Sequence, residues 1–167
     1  SRGDLRTISR RAEFRLEQNQ ILLTGEPVAW DPSGDIRADT MSVRVRERKA
    51  DQLRAWGSVQ VRYEPRDKAG ERNLILGDTL TAGLSGGALN GMEVFGSAQR
   101  LYLPGIRDVL AGSGRNLSRA QSIRVVLREG QAQRVDLIGK ASGTYLYPGD
   151  ASRRRLGEPA VLDSIVP

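Results

Sequence analysis

Ala38-Asp39-Thr40-Met41-Ser42-Val43-Arg44-Val45, a charged tip Arg46-Glu47-Arg48-Lys49, and Ala55-Trp56-Gly57-Ser58-Val59-Gln60-Val61-Arg62-Tyr63 together decide the fold. The first run alternates apolar and polar residues with period two, the pattern of a half-buried strand. The tip between the runs has the composition of a hairpin turn. The second run leads through a glycine into another alternating stretch.

The same unit occurs four times. The glycine-led runs are Leu23-Thr24-Gly25-Glu26-Pro27-Val28-Ala29-Trp30, the Gly57 run above, Phe95-Gly96-Ser97-Ala98-Gln99-Arg100-Leu101-Tyr102 and Ile138-Gly139-Lys140-Ala141-Ser142-Gly143-Thr144-Tyr145. The preceding runs are 9–16, 38–45, 77–84 and 120–127, each opening on a small residue followed by a polar one: Ser9-Arg10, Ala38-Asp39, Gly77-Asp78 and Ala120-Gln121. Tips lie at 17–20, 46–49, 85–87 and 128–131, and longer connections at 31–34, 64–73 and 104–116 join the units. No stretch carries a 3.6-residue apolar period, so helix is expected to be short. The chain reads as an all-β repeat protein of about four strand-turn-strand units. Phe14/Leu16, Met41/Val43/Val45, Leu80/Leu84 and Ile123/Val125/Leu127 are expected on one face.

Composition narrows the chemistry. Histidine and cysteine are both absent, which removes His-based triads, His and Cys metal sites and disulfides. An enzyme is not expected, and no cofactor or metal. Gly83-Leu84-Ser85-Gly86-Gly87 matches the nucleophile elbow by letter, but without a histidine it reads as a hairpin tip. Gly112-Ser113-Gly114-Arg115 lacks the lysine and helix of a phosphate loop. Asn116-Leu117-Ser118 is a glycosylation sequon by letter only. The 167 residues suffice for one domain, and no run reaches the roughly eighteen apolar residues of a membrane span. The opening Ser1-Arg2-Gly3-Asp4 lacks a signal peptide's apolar stretch, so any targeting segment is expected upstream or removed.

The formal net charge is +6, carried almost entirely by arginine, since lysine occurs only at 49, 68 and 140. Arg15, Arg44, Arg46, Arg62 and Arg124 alternate with apolar neighbours and are expected on an outer, basic face. Trp30, Trp56, Phe95, Tyr63, Tyr102, Tyr145 and Tyr147 fall near the ends of the glycine-led strands, as core or as a sheet rim. Residues 151–167, with Arg153-Arg154-Arg155 and the apolar run 160–165, read as a basic tail or the first strand of a further repeat, in a longer array or paired with another molecule.

A unit of the form A/G-D-x-L-x-V, turn, A-x-G-x-V resembles the OstA-like family, the LptA–LptC–LptD N-terminal family of lipopolysaccharide-transport proteins and domains. Ala38-Asp39-Thr40-Met41-Ser42-Val43 with Ala55-Trp56-Gly57-Ser58-Val59, and Gly77-Asp78-Thr79-Leu80 with Phe95-Gly96-Ser97-Ala98, carry the likeness over roughly residues 8 to 147. Arg10 and Gln121 depart from the family's usual Asp. The resemblance implies a β-jellyroll of two facing antiparallel sheets over residues 1–150, open along one side. It implies a periplasmic, membrane-peripheral protein that binds lipopolysaccharide or a similar amphipathic lipid and pairs with other such modules through edge strands, with no nucleic acid as partner. The groove interior would comprise Phe14, Leu16, Met41, Val43, Val45, Leu53, Val59, Val61, Leu80, Leu84, Met92, Val94, Ile123, Val125 and Leu127. Two other readings are a scaffold that assembles without lipid, and a basic β-module for nucleic acid.

Overall fold

The structure, a computed structural model, describes residues 5–32, 34–64, 70–104, 114–128 and 131–146. They form twelve strands: β1 Arg6–Ile8, β2 Arg11–Arg15, β3 Gln20–Thr24, β4 Val28–Asp31, β5 Gly34–Arg37, β6 Thr40–Arg46, β7 Lys49–Tyr63, β8 Arg72–Ser85, β9 Ala88–Leu103, β10 Arg115–Arg128, β11 Gln131–Ile138 and β12 Ser142–Leu146. A single 3-10 turn, Leu16–Gln18, is the one helical element among the described residues. Every strand pairing is antiparallel. Residues 151–167, Tyr147 and the loop Gly112–Ser113 lie outside the described residues.

The four hairpins fall where the alternation places them: β2–β3, β6–β7, β8–β9 and β10–β11. Glu47-Arg48 and Gly86-Gly87 each have positive φ at both central positions, the geometry whose twist matches the flanking strands. The glycine-led runs differ from expectation. Gly57 and Gly96 do not open strands but sit inside the long continuous strands β7 and β9, at ladder irregularities between Trp56 and Val59 and between Leu76 and Thr79. Two residues on the bulged strand face one across the ladder: Gly57 and Ser58 oppose Asp78. Such bulges bend a strand and increase its twist.

The bends split the hydrogen-bonded network into two layers. One, sheet I, runs β2-β3-β6-β7-β8-β9-β10-β11; the other, sheet II, runs β1-β4-β5-β7-β8-β9-β10-β12. Strands β7 to β10 belong to both, contributing their hairpin halves to sheet I and their other halves to sheet II. Strands that switch sheets at bulges are a known way to build the corner of a two-layer β structure. Hence each repeat supplies strands to both walls, and the row of bulges forms a crease along which the walls meet.

The repeated small-polar pair now has a physical reason. Gly25, Gly57, Gly96 and Gly139 all have positive φ, as do Glu26, Ser58, Ser97 and Lys140 after them. Against each glycine lies the polar residue of the facing run: a Cβ on Gly57 would sit 2.3 Å from Asp39 Oδ2, and one on Gly96 2.1 Å from Asp78 Oδ2. Arg10 over Gly25 and Gln121 over Gly139 fill the same place. Backbone N–H groups of Arg10, Asp39 and Gln121 donate to the carbonyls of Gly25, Gly57 and Gly139. The corner therefore works with Asp, Arg or Gln. The small residue faces inward in three of the four pairs: Ala38 and Ala120 are buried, as is Ala98 beyond the third bulge, and a Cβ on Gly77 would collide with Val94 Cγ1 at 2.4 Å.

Candidate functional site

The inner face of sheet I can be read row by row from the strand register. Nearest the crease, Ala12, Leu23, Met41, Ala55, Leu80, Val94, Ile123 and Leu137 lie side by side across eight strands. The next row runs Phe14, Ile21, Val43, Leu53, Ala82, Met92, Val125 and Val135. Both rows are apolar from one edge of the sheet to the other. Met41, Leu53, Val94 and Ile123 are wholly buried, and the two walls share one hydrophobic cluster.

Sheet II faces it with a wall of changing character. Its inner row begins Ala29, Ile36, Val61 and Ile75, then continues through Arg100 and Ser118. The row beyond carries Tyr63, Asn73, Tyr102 and Asn116. These polar groups are organised: Arg100 Nη2 donates to Asn73 Oδ1 at 2.6 Å, and the Tyr102 hydroxyl donates to Glu71 Oε1 at 2.8 Å. The Ser118 hydroxyl donates to Asn116 Oδ1 at 2.6 Å, and the Arg100 guanidinium lies 5.5 Å from the centre of the Tyr102 ring. Glu71, Asn73 and Ser118 are buried. Burial pushes the Arg100 guanidinium below its ordinary range, against the upward pull of Tyr102 and Glu71.

Between the polar stretch and sheet I, away from the crease, lies a cleft of about 320 Å³. Val61, Ile75, Arg100 and Tyr102 bound it on one side; Met92, Val125 and Val135 bound it on the other. The Tyr63 hydroxyl spans the two walls by accepting the Ala132 N–H of β11 at 2.7 Å.

Of the fifteen interior residues named from the sequence, Met41, Val43, Leu53, Val59, Val61, Leu80, Leu84, Met92, Val94, Ile123, Val125 and Leu127 are buried in the shared cluster. Val61, Met92, Val125 and Leu127 also border the cleft. Val45 is half-buried at a hairpin end. Phe14 sits in the inner row but on edge strand β2, 68% exposed, because no strand covers it. Leu16 is not a strand residue: it begins the 3-10 turn, is 84% exposed, and does not join the interior. The polar group Glu71, Asn73, Arg100, Tyr102 and Ser118 was not foreseen. Counting by two from Ala98 reaches Arg100 and Tyr102, and from Ile75 back reaches Asn73 and Glu71, so the register could have indicated it.

The outer face also differs from a bare basic surface. Arg44 grips Asp51 with Nε and Nη2, each at 2.9 Å, and Arg46 lies 3.6 Å from the same carboxylate. Arg62 pairs with Asp35, Arg15 with Glu13, and Arg124 with Glu93. All five arginines assigned to that face thus have carboxylate partners. The aromatic set divides as well. Trp56 and Phe95, next to inward Ala55 and Val94, lie outside at the crease and are 39% and 40% exposed, whereas Tyr63 and Tyr102 face the cleft.

Two facing antiparallel sheets, open at both edges and joined by strands that turn from one into the other, make this an unclosed β-jellyroll of the LptA-like fold. Among solved structures the chain is similar to LptH of Pseudomonas aeruginosa, the LptA-homologous periplasmic component of the lipopolysaccharide transport device. The TM-score is 0.60 at 12% identity, over 80% of this chain and 92% of LptH. No protein-family model and no curated protein sequence matches the chain.

Proposed function

We propose that this chain is a lipid-carrying module of the Gram-negative periplasm that shields acyl chains of lipopolysaccharide, or of a similar amphipathic lipid, between its sheets. The observation that carries the reading is the inner face of sheet I, apolar across all eight strands and bordering a cleft. The fold it shares with LptH supports the choice of lipid class. Transfer of each methylene out of water contributes about 0.8 kcal/mol, so one 14-carbon chain gains on the order of 10 kcal/mol. A passive groove on that scale needs no catalytic group.

A photoreactive amino acid at Met92 or Val125 is expected to give adducts with lipopolysaccharide, and one at Arg44 on the outer face none. Equal yields at all three positions would refute the groove.

The same reading includes assembly edge to edge into a bridge between the membranes. Each sheet has eight strands, all antiparallel. With an even number, a second copy added in the same orientation places its β2 antiparallel to β11 and its β1 antiparallel to β12, so the alternation continues across the junction. The apolar inner row continues too, with Phe14 of one copy following Val135 of another. Exposed Ile8 and Phe14, 61% and 68% open on the edge strands, fit such a contact. Replacing Phe14 by Lys is expected to abolish concentration-dependent assembly in sedimentation velocity while leaving the thermal midpoint unchanged. Assembly without any lipid adduct would favour the scaffold reading instead.

A further inference from the structure

The inner wall of sheet II is not uniformly apolar, and a groove meant only for hydrocarbon has no use for a half-buried arginine. Burying a cation is costly unless it is paired and hydrogen-bonded. Arg100 has five N–H donors. Among the described residues its one side-chain hydrogen bond goes to the neutral amide oxygen of Asn73, and no carboxylate lies within ion-pair distance. Glu71, the nearby acid that raises its affinity for the proton, accepts from Tyr102. The guanidinium is held in place by Asn73 and by the Tyr102 ring, and it borders the cleft opposite Met92, Val125 and Val135.

We propose that this polar stretch is a subsite for the carbonyl end of an acyl chain, whose oxygen accepts hydrogen bonds from Arg100, while the hydrocarbon runs from there along Ile75, Val61 and Ile36 towards Ala29. The inference rests on the acyl-binding reading above and adds a direction to it. An amphiphile fits the cleft in one orientation only. With the oxygen at Arg100 the tail meets apolar side chains on both walls; reversed, the tail would desolvate the half-buried Arg100 without replacing its contacts with water. An ester or amide oxygen can accept from the guanidinium as well as a carboxylate can. Ile75, directly across the ladder from Arg100, and Ile36 on β5 share the inner row of sheet II two strand spacings apart, roughly 10 Å, so the two ends of a long acyl chain have different nearest methyl groups.

The test is methyl NMR of the intact chain with labelled Ile, titrated with stearic acid or methyl stearate bearing a nitroxide at either end. A nitroxide beside the carbonyl is expected to broaden Ile75 more than Ile36, and one at the tail end to do the reverse, for both acid and ester. Arg100→Met is expected to weaken binding about tenfold and to make the broadening of the two methyls equal. Equal broadening in the unmodified protein, or an ordered pattern for the acid alone, would overturn the carbonyl subsite while leaving the groove intact. Broadening of neither methyl would instead remove the acyl-binding reading itself. If Arg100→Met loses its native circular dichroism, the unmodified protein's two-label comparison still decides the matter.

Discussion

The crease and the mouth of the groove are built from the same strands and obey different rules. At the crease, small residues, bulges and wholly buried side chains leave no room: Leu80 is 1% and Val94 0% exposed, and Gly77 has no space for a methyl group. Away from it, the walls are separated by a cleft, tied by the Tyr63 hydroxyl and lined partly by polar groups. The difference teaches that stability and accommodation are divided along each strand. The middle of each long strand, at the bulge, locks the two walls together, and residues nearer its ends leave the cleft between them.

The harshest way to break the comparison is to damage the crease. Gly57 combines φ +76° with a Cβ position that meets Asp39, so Gly57→Val should cost about 3 kcal/mol or more in urea unfolding. A milder pair of variants sharpens it. Leu80→Ala, at the crease, should lose about 3 kcal/mol, and Met92→Ala, beside the cleft, about 1–2 kcal/mol, because side chains there already lack contact on one side. Equal losses would mean that the mouth is packed as tightly as the crease.

Tyr63→Phe removes the hydroxyl that ties the walls and leaves the Ala132 N–H without it, at about 1 kcal/mol. Amide exchange should quicken in β11 and not at Ala55 or Leu80. Smallest is a charge effect on the outside of the β6–β7 hairpin. The hydrogen bond from Arg44, with charge from Arg44 and Arg46, holds Asp51 below its usual 3.8 despite some opposing desolvation. A depressed carboxylate contributes stability above its unfolded pKa of about 4 and loses it as the pH falls through the folded value. An NMR titration of the Asp51 carboxyl should show that depression, and Arg44→Gln should return it towards 3.8.

Much of this architecture was legible in the amino acids. Alternation in 38–45 and 120–127 assigns the inner face correctly because one-sided burial is enforced by the two-residue period. The tips Glu47-Arg48 and Gly86-Gly87 fall where the alternation breaks. The glycines were harder, since a glycine between apolar runs looks like a strand start, and only cross-strand pairing reveals that Gly57 and Gly96 bend a strand already under way. Leu16 failed for a local reason: the 3-10 turn ends the alternation one residue before it. The outer arginines read as a basic face because their partners Asp51, Asp35 and Glu93 come from neighbouring strands, at separations of 7 to 31 residues. The polar cluster escaped because Tyr102 was placed near the end of a strand and the run was not followed from Ala98 by twos through Arg100.

The even number of strands in each sheet has a further consequence. Any array made by adding copies in one orientation carries unlike ends whatever its length, β1 and β2 exposed at one and β11 and β12 at the other. It is a vector, not a rod. A component that recognises one pair of edges could not dock at the far end, so a chain assembled this way would have a heading before any cargo entered it.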